Sequence, residues 1–248
     1  MAGCLHQIDF LDVEISKIDR RLGEWAVGSD EARRLMTIPG VGVAAAAALM
    51  AAIGDISRFD SSRRLVAYLG LDPKVRQSGE EPARHGRISK RGNSQGRAVL
   101  LEAAWSAVRS PGPLRAFGKR VRVRKGSQVA AVAVARKIAC LYWQLLTKEE
   151  DYAYARPSPL PAKIRRAELD AGAPPRSTRH DGRPVKAGAK EREAERELVE
   201  RAETAYRRLV ADWKASGAKG AGATTGHTSS GPSAGQAGRQ DSAPGPAL

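Results

Sequence analysis

The chain has 248 residues, 42 Lys and Arg against 27 Asp and Glu, and a formal net charge of +15. That length allows one or two domains, and its two widely separated cysteines exclude a disulfide framework and offer no metal-ligand spacing. No segment reaches the roughly 18 apolar residues of a membrane span, and acidic residues near the start argue against a signal peptide. We therefore expect a cytoplasmic protein, without a membrane segment or metal site, that meets a polyanion.

The first predicted element is a long helix over residues 4–25, within a coiled-coil segment 1–30. Its apolar residues follow alternating spacings of four and three, which is the heptad pattern of a two-position stripe. They are Cys4, Ile8, Leu11, Ile15, Ile18, Leu22 and Trp25. The stripe predicts a homo-oligomer formed through residues 4–25, and the alternative is a surface helix that packs on its own domain.

A predicted helical hairpin follows, and it opens a domain over residues 31–155. Residues 38–42 read Ile-Pro-Gly-Val-Gly between two helical segments, the second of them rich in alanine. This pattern is typical of a helix-hairpin-helix, in which a glycine turn lets backbone N–H groups approach a DNA phosphate beside a helix N-terminus. Gly40 and Gly42 are therefore candidate DNA contacts. The alternative is an ordinary αα-hairpin with a glycine turn.

The positive charge is concentrated in one window. Residues 84–125 contain twelve Lys and Arg and one acid, Glu102. An Arg-rich composition shared with a GC-rich genome would spread the excess evenly, so the clustering favours a nucleic-acid-binding face.

Residues 71–93 predict an irregular loop or short hairpin that is rich in cations. Ser78 and Gly79 stand in its middle. A serine hydroxyl can attack a phosphodiester if cations stabilise the developing charge, although Ser-Gly alone is equally typical of any turn. The neighbouring candidate contacts are Arg76, Arg84, Arg87, Lys90 and Arg91.

The rest of the chain predicts a mainly α protein. Helical spacing recurs over residues 94–108, 114–124 and 127–146, and no alternating strand of useful length is present. We expect a linker over 156–188, an isolated charged helix over 189–216, and a disordered tail over 217–248 whose Gly, Ser and Pro content cannot build a core.

Several motifs occur in a fixed order: residues 38–42, 68–73 (Tyr-Leu-Gly-Leu-Asp-Pro), 77–79 (Gln-Ser-Gly), 86–93 (Gly-Arg-Ile-Ser-Lys-Arg-Gly-Asn), Arg97 and 101–104. Together they closely resemble the C-terminal domain of the insertion-sequence-110/116/902 transposases, which are bridge-RNA-guided recombinases. The resemblance covers about residues 1–155. It implies that Ser78 is the nucleophile and that Arg97 joins the basic surroundings.

The same resemblance implies partners and a missing part. Members of the family carry an N-terminal RuvC-like domain whose DEDD residues bind Mg²⁺, and a coiled coil follows it. Met1 falls within that coiled coil, so we expect this chain to lack the DEDD domain. It would hold no cofactor itself, need Mg²⁺ from a DEDD-bearing partner, and be inactive alone. DNA and a guide RNA are the implied partners, in a bacterial cytoplasm.

Two other functions stay open from sequence. One is a non-catalytic DNA- or RNA-binding protein that regulates an intact transposase through mixed oligomers. The weaker one is a basic protein associated with RNA or the ribosome.

Overall fold

The computed structural model describes residues 2–77, 83–156, 159–175 and 189–221. Its helices are α1 Ala2–Gly28, α2 Asp30–Met36, α3 Val43–Ile53, α4 Ser62–Tyr68, α5 Ser94–Arg109, α6 Pro113–Lys125, α7 Ser127–Lys148, α8 Pro159–Asp170 and α9 Ala189–Ala221. A short 3₁₀ helix at Ile56–Arg58 and two strands, β1 Pro73–Arg76 and β2 Arg84–Ile88, complete the described elements. The mainly α fold class is confirmed.

One apolar core joins the central helices. Helices α5, α6 and α7 pack against one another, α3 packs on α5, and α4 packs on α7. Large side chains from five helices are fully buried there, namely Leu35, Leu49, Leu65, Leu100 and Ile138. Burying each such side chain stabilises the fold by about 1.5–3 kcal/mol, so this core fixes the positions of the loops that leave it.

Helices α5 and α7 run antiparallel. Val108 near the end of α5 and Val134 near the start of α7 both contact Gly118 of α6. Toward the other end of α7, the Trp143 indole N–H donates to the Phe59 carbonyl at 2.8 Å, just before α4. The end of α7 therefore lies beside the segment before α4, and the start of α7 lies beside the end of α5.

Gly96 marks the contact between α5 and the end of α4. A glycine inside a helix costs about 1 kcal/mol relative to alanine. A Cβ at Gly96 would lie 2.7 Å from the Leu69 side chain and 3.4 Å from Ala52. The cost is therefore explained by the close approach of α5 to the segment that carries Leu69.

Most of the heptad stripe of α1 lies in solvent. Ile8, Leu11, Ile15 and Ile18 are each more than half exposed, at 54%, 51%, 53% and 58%, whereas Leu22 is partly buried and Trp25 packs against the core. The helix packs on α8 through another face, because a Cβ at Gly23 would collide with the backbone of Ala167. The stripe is thus free to meet another helix from Ile8 to Ile18, and its last residue packs on the chain's own domain.

Helix α8 lies in the segment expected to be a linker. Its residue Ala167 is buried against α1. Pro159 and Pro161 occupy the first turn, where the N–H groups that proline lacks would have no helical partner. The Pro-rich run therefore forms the first turn of α8.

Helix α9 docks on α6 and extends five residues beyond the predicted end of the charged helix, to Ala221. Glu203 is buried, and its pKa is lowered because hydrogen bonds from the Arg115 side chain and the Gly112 N–H offset the cost of burial. Residues 222–248, most of the expected tail, lie outside the described part of the chain.

Helix α7 is long and apolar enough to cross a membrane by length and composition. Half of its most apolar window is buried inside the fold. Because α7 packs against α4, α5 and α6, its high hydropathy is that of a core helix.

Candidate nucleic-acid interface

The cation-rich segment forms an antiparallel β-hairpin. Strands β1 and β2 pair Val75 with His85 and Arg76 with Arg84, and an irregularity separates these pairs from Pro73–Ile88. Ser78, the candidate nucleophile, follows β1 in sequence and lies outside the described residues, as do residues 79–82. The structure therefore describes the strand before Ser78 and the strand after it, but not Ser78 itself.

The base of the hairpin is locked by contacts between two of the sequence motifs. The Ser89 N–H donates to the Asp72 carbonyl at 2.7 Å, and the Ser89 hydroxyl donates to Asp72 Oδ1 at 2.5 Å. The Lys90 N–H donates to the Gly70 carbonyl at 3.1 Å. Motifs 68–73 and 86–93 are thus two sides of one interlocked turn.

Two glycines make this interlock possible. Gly70 and Gly92 have φ values of +65° and +132°, a region that residues with a Cβ rarely adopt. A Cβ at Gly92 would lie 2.1 Å from the Tyr68 carbonyl oxygen, and one at Gly70 would lie 2.8 Å from the Arg91 carbonyl oxygen. Both positions require glycine for space as well as for conformation.

Asn93 and Arg97 tie the interlock to α5. The Asn93 side chain accepts from the Gly96 N–H at 2.8 Å, which caps α5, and donates to the Ala52 carbonyl at 3.2 Å. The Arg97 guanidinium donates to the Leu69 carbonyl at 3.0 Å and to the Lys90 carbonyl at 3.4 Å. Arg97 therefore positions the hairpin base, a role that the motif pattern did not reveal.

The remaining candidate cations lie in solvent. Arg76, Arg84, Arg87, Lys90 and Arg91 are all exposed on the strands or at the hairpin base. Exposed guanidinium groups can bind phosphate oxygens in a bidentate manner without a large desolvation cost. The structure thus places five of the six predicted cations around one short hairpin and assigns Arg97 to its support.

The two glycines of the helical hairpin have different surroundings. Gly40 has φ +88°, and a Cβ there would lie 2.3 Å from the Ala103 carbonyl oxygen and 2.9 Å from the Ala107 nitrogen, both in α5. Gly42 precedes α3, and a Cβ there would meet nothing within 4 Å. Gly40 is a packing residue, so the expected approach of a phosphate to this turn depends on Gly42 and the first turn of α3.

Lys163 of α8 supports the same turn, and sequence reasoning missed it. Its ammonium donates to the Met36, Ile38 and Val41 carbonyls at 2.6, 3.2 and 2.7 Å. Burial, together with repulsion from Arg156, lowers the pKa of Lys163 to about 8. Both cations line a cavity of about 340 Å³ beside Gly42. Lys163 reaches this turn because the Pro-rich segment, which the sequence predicted to be a linker, contains α8.

Alanine substitutions distinguish the role of Gly40 from that of Gly42. We expect Gly40→Ala to lower the free energy of unfolding by about 3 kcal/mol or more, because a positive φ costs about 1–2 kcal/mol and the new Cβ collides with α5. Gly42→Ala should cost about 1 kcal/mol or less, the loss of a glycine N-cap. Urea unfolding followed by circular dichroism measures both. Equal losses would contradict the packing role of Gly40.

No magnesium site is built from the described residues. No group of three or more His, Cys, Asp or Glu side chains within them could hold a metal ion. The carboxylates of α1 lie along one exposed helix, where Glu14 pairs with Lys17. The donor set that Mg²⁺ prefers, several oxygens converging on one point, is not met by these residues.

Comparisons with known proteins agree with one another. Residues 32–119 match the model of the transposase IS116/IS110/IS902 family. The chain is 35% identical over 145 residues to a transposase for insertion sequence element IS1111A from Coxiella burnetii, covering 57% of this chain and 40% of that protein. It is 31% identical over 150 residues to a probable family 20 transposase from Pseudomonas aeruginosa, covering 59% and 44%.

A third relative is named for a different process. The pilin gene-inverting protein of Moraxella bovis is 31% identical over 122 residues, covering 48% of this chain and 37% of that protein. This chain spans about two fifths of the length of the curated relatives that it matches. The matched family segment runs from α2 into α6 and includes the hairpin and its base.

Proposed function

This chain is related to the transposases of the IS116/IS110/IS902 family, and on that basis we propose that it binds DNA through the β1–β2 hairpin as part of an insertion-sequence transposase. The observation that carries the proposal is the hairpin itself. Its base is locked by the motifs that resemble the family, and its strands carry exposed cations. A rigid base with a charged projection is suited to entering a groove of the duplex.

Within this proposal Ser78 is the nucleophile. Its hydroxyl would attack the phosphorus of a DNA phosphodiester and give its proton to a general base. The phosphoserine bond would form as the bond from phosphorus to the 3′ or 5′ oxygen breaks, and that oxygen would take up a proton and leave as a hydroxyl. The phosphate ester conserves the energy needed to rejoin strands. Arg76 ends β1 two residues before Ser78, and this guanidinium would stabilise charge on the attacked phosphate.

Assembly and metal belong to the same proposal. The exposed stripe of α1 would pair with a second copy of the chain, since apolar heptads in water are stabilised by burial in a coiled coil. Mg²⁺ would come from a DEDD-bearing partner chain, and the isolated chain would bind nucleic acid without recombining it. A guide RNA would join this assembly on the DNA in the cytoplasm.

Removal of hairpin charge tests the DNA-binding step. We expect the triple variant Arg76→Gln, Arg87→Gln, Arg91→Gln to bind a 20-base-pair duplex roughly tenfold or more weakly at 0.1 M salt. The slope of log affinity against log salt is negative, and it should become shallower by roughly 2–3, because each lost phosphate contact removes about 0.9 from its magnitude. Fluorescence anisotropy across a salt series measures both quantities.

A matched control removes the same charge elsewhere. Arg33, Arg166 and Arg201 each pair with a carboxylate of their own helix, at 4.0, 3.0 and 3.1 Å. The triple variant Arg33→Gln, Arg166→Gln, Arg201→Gln should leave affinity and slope nearly unchanged. Equal weakening in both triples would mean that only overall charge matters, and the hairpin would lose its assigned role.

A further inference from the structure

The cations of α6 fall into two sets, and the first is covered by α9. The Arg115 guanidinium pairs with Glu203 at 2.8 Å, and the Gly112 N–H donates to the same carboxylate oxygen at 2.6 Å. The Arg120 guanidinium lies 6.0 Å from the ring centre of Tyr206. These residues hold α9 in place, so their charge is used within the fold.

The second set lies at the end of α6, in a part of the sequence that contains no Asp or Glu. Lys119, Arg122, Arg124 and Lys125 are exposed and form no ion pair within the part of the chain that the structure describes. No Asp or Glu occurs in the sequence between Glu102 and Glu149, so neither α6 nor α7 supplies a neutralising charge. We call these four cations, with Val123 between them, the basic corner, after the turn that joins α6 to α7.

Stabilisation of the helix end does not account for the whole corner. Cations in the last turn of a helix interact favourably with its dipole, but that effect fades within one turn. Lys119 lies beyond that turn, and Val123 is 88% exposed in the middle of the cations. Val123 and the cations around it therefore form one solvent-exposed surface.

The basic corner and the hairpin lie at opposite ends of the α5–α7 pair. The hairpin base is joined to the start of α5 through Asn93 and Arg97. The corner lies beyond the end of α5, where Val108 and Val134 meet Gly118. At 1.5 Å per helical residue, α5 and the projecting first turns of α7 separate the two surfaces by roughly 30 Å.

We propose that the basic corner is a second surface for duplex DNA, which binds the phosphate backbone about one helical turn away from the hairpin. One turn of B-DNA measures about 34–36 Å, close to the separation of the two surfaces. The proposal rests on DNA binding by the hairpin and adds a second anchor that fixes the direction of the duplex along α5. Val123 would contact the sugar edge between the bound phosphates.

Duplex length provides the test. The triple variant Arg122→Gln, Arg124→Gln, Lys125→Gln is compared with wild type and with the Arg33, Arg166, Arg201 control, using a 20-base-pair duplex and a 6-base-pair stem closed by a loop. The stem is roughly 20 Å long at 3.4 Å per base pair, too short to span both surfaces. Circular dichroism melts of each variant check that the fold is kept.

For the 20-base-pair duplex we expect the corner variant to bind roughly tenfold or more weakly than wild type. Its slope of log affinity against log salt should be shallower than that of wild type by roughly 2–3. For the short stem its affinity should fall by no more than about twofold, because the hairpin alone suffices there. Equal behaviour of corner and control variants on the long duplex would overturn the proposal. Failure of wild type to bind any duplex would instead remove the proposed function.

Discussion

Replacing Ser78 by alanine is expected to abolish covalent attachment of the chain to DNA, in a complex completed with a DEDD-bearing partner and Mg²⁺. Loss of the proposed nucleophile would remove the step that forms the protein–phosphate bond, and losses of roughly 10³-fold or more are usual when a catalytic nucleophile is removed. Duplex affinity should be unchanged, because a neutral hydroxyl contributes little beside several guanidinium contacts. Denaturing gels of labelled DNA detect the attachment.

Another serine supplies the control. Ser16 is exposed on α1 outside the heptad stripe, and its hydroxyl donates to the Asp12 carbonyl of the same helix at 2.8 Å. Ser16→Ala should leave attachment at the wild-type level. If Ser78→Ala still became attached to DNA, or if the completed wild-type complex never did, Ser78 would not be the nucleophile.

Replacing Gly92 by alanine should cause the largest loss of stability in the hairpin region. With φ +132° and a Cβ 2.1 Å from the Tyr68 carbonyl oxygen, alanine cannot be accommodated unless the interlock opens. We expect the free energy of unfolding to fall by about 3 kcal/mol or more. Duplex affinity should fall as well, because the strands lose their fixed base.

Gly86 provides the comparison for this substitution. It lies in β2, its φ is not in the positive region, and its nearest neighbour to a new Cβ is the Lys74 carbonyl oxygen at 3.5 Å. Gly86→Ala should change the free energy of unfolding by less than about 1 kcal/mol. A Gly92→Ala protein as stable as Gly86→Ala, with wild-type affinity for DNA, would show that the interlock does not hold the hairpin.

Much of the fold follows from local sequence pattern. The heptad of α1 and the helical spacing of α5 and α7 depend on residues three and four apart, and the structure contains these helices. The segment predicted to be a loop or short hairpin is a hairpin. Local periodicity sufficed because each of these elements is defined by residues that are close in sequence.

The contacts that were missed join distant parts of the chain. Lys163 binds carbonyls of residues 36–41 only because α8 packs near them, and nothing near Lys163 in sequence indicates those partners. The roles of Gly40 and Arg97 likewise depend on Ala103 and Leu69. A motif shows that such residues belong together, whereas tertiary packing decides which ones support the site and which face solvent.

Crosslinking from the hairpin tests the central claim, that β1 and β2 meet DNA, most directly. Val75 is 55% exposed on β1, and Leu169 is 40% exposed on α8. A benzophenone label is placed on the Val75→Cys or the Leu169→Cys variant, with Cys4 and Cys140 replaced by serine, and each protein is irradiated with a 20-base-pair duplex. We predict crosslinks from position 75 that excess unlabelled duplex competes away, and background from position 169. Crosslinking from position 169 but not from position 75 would contradict the claim.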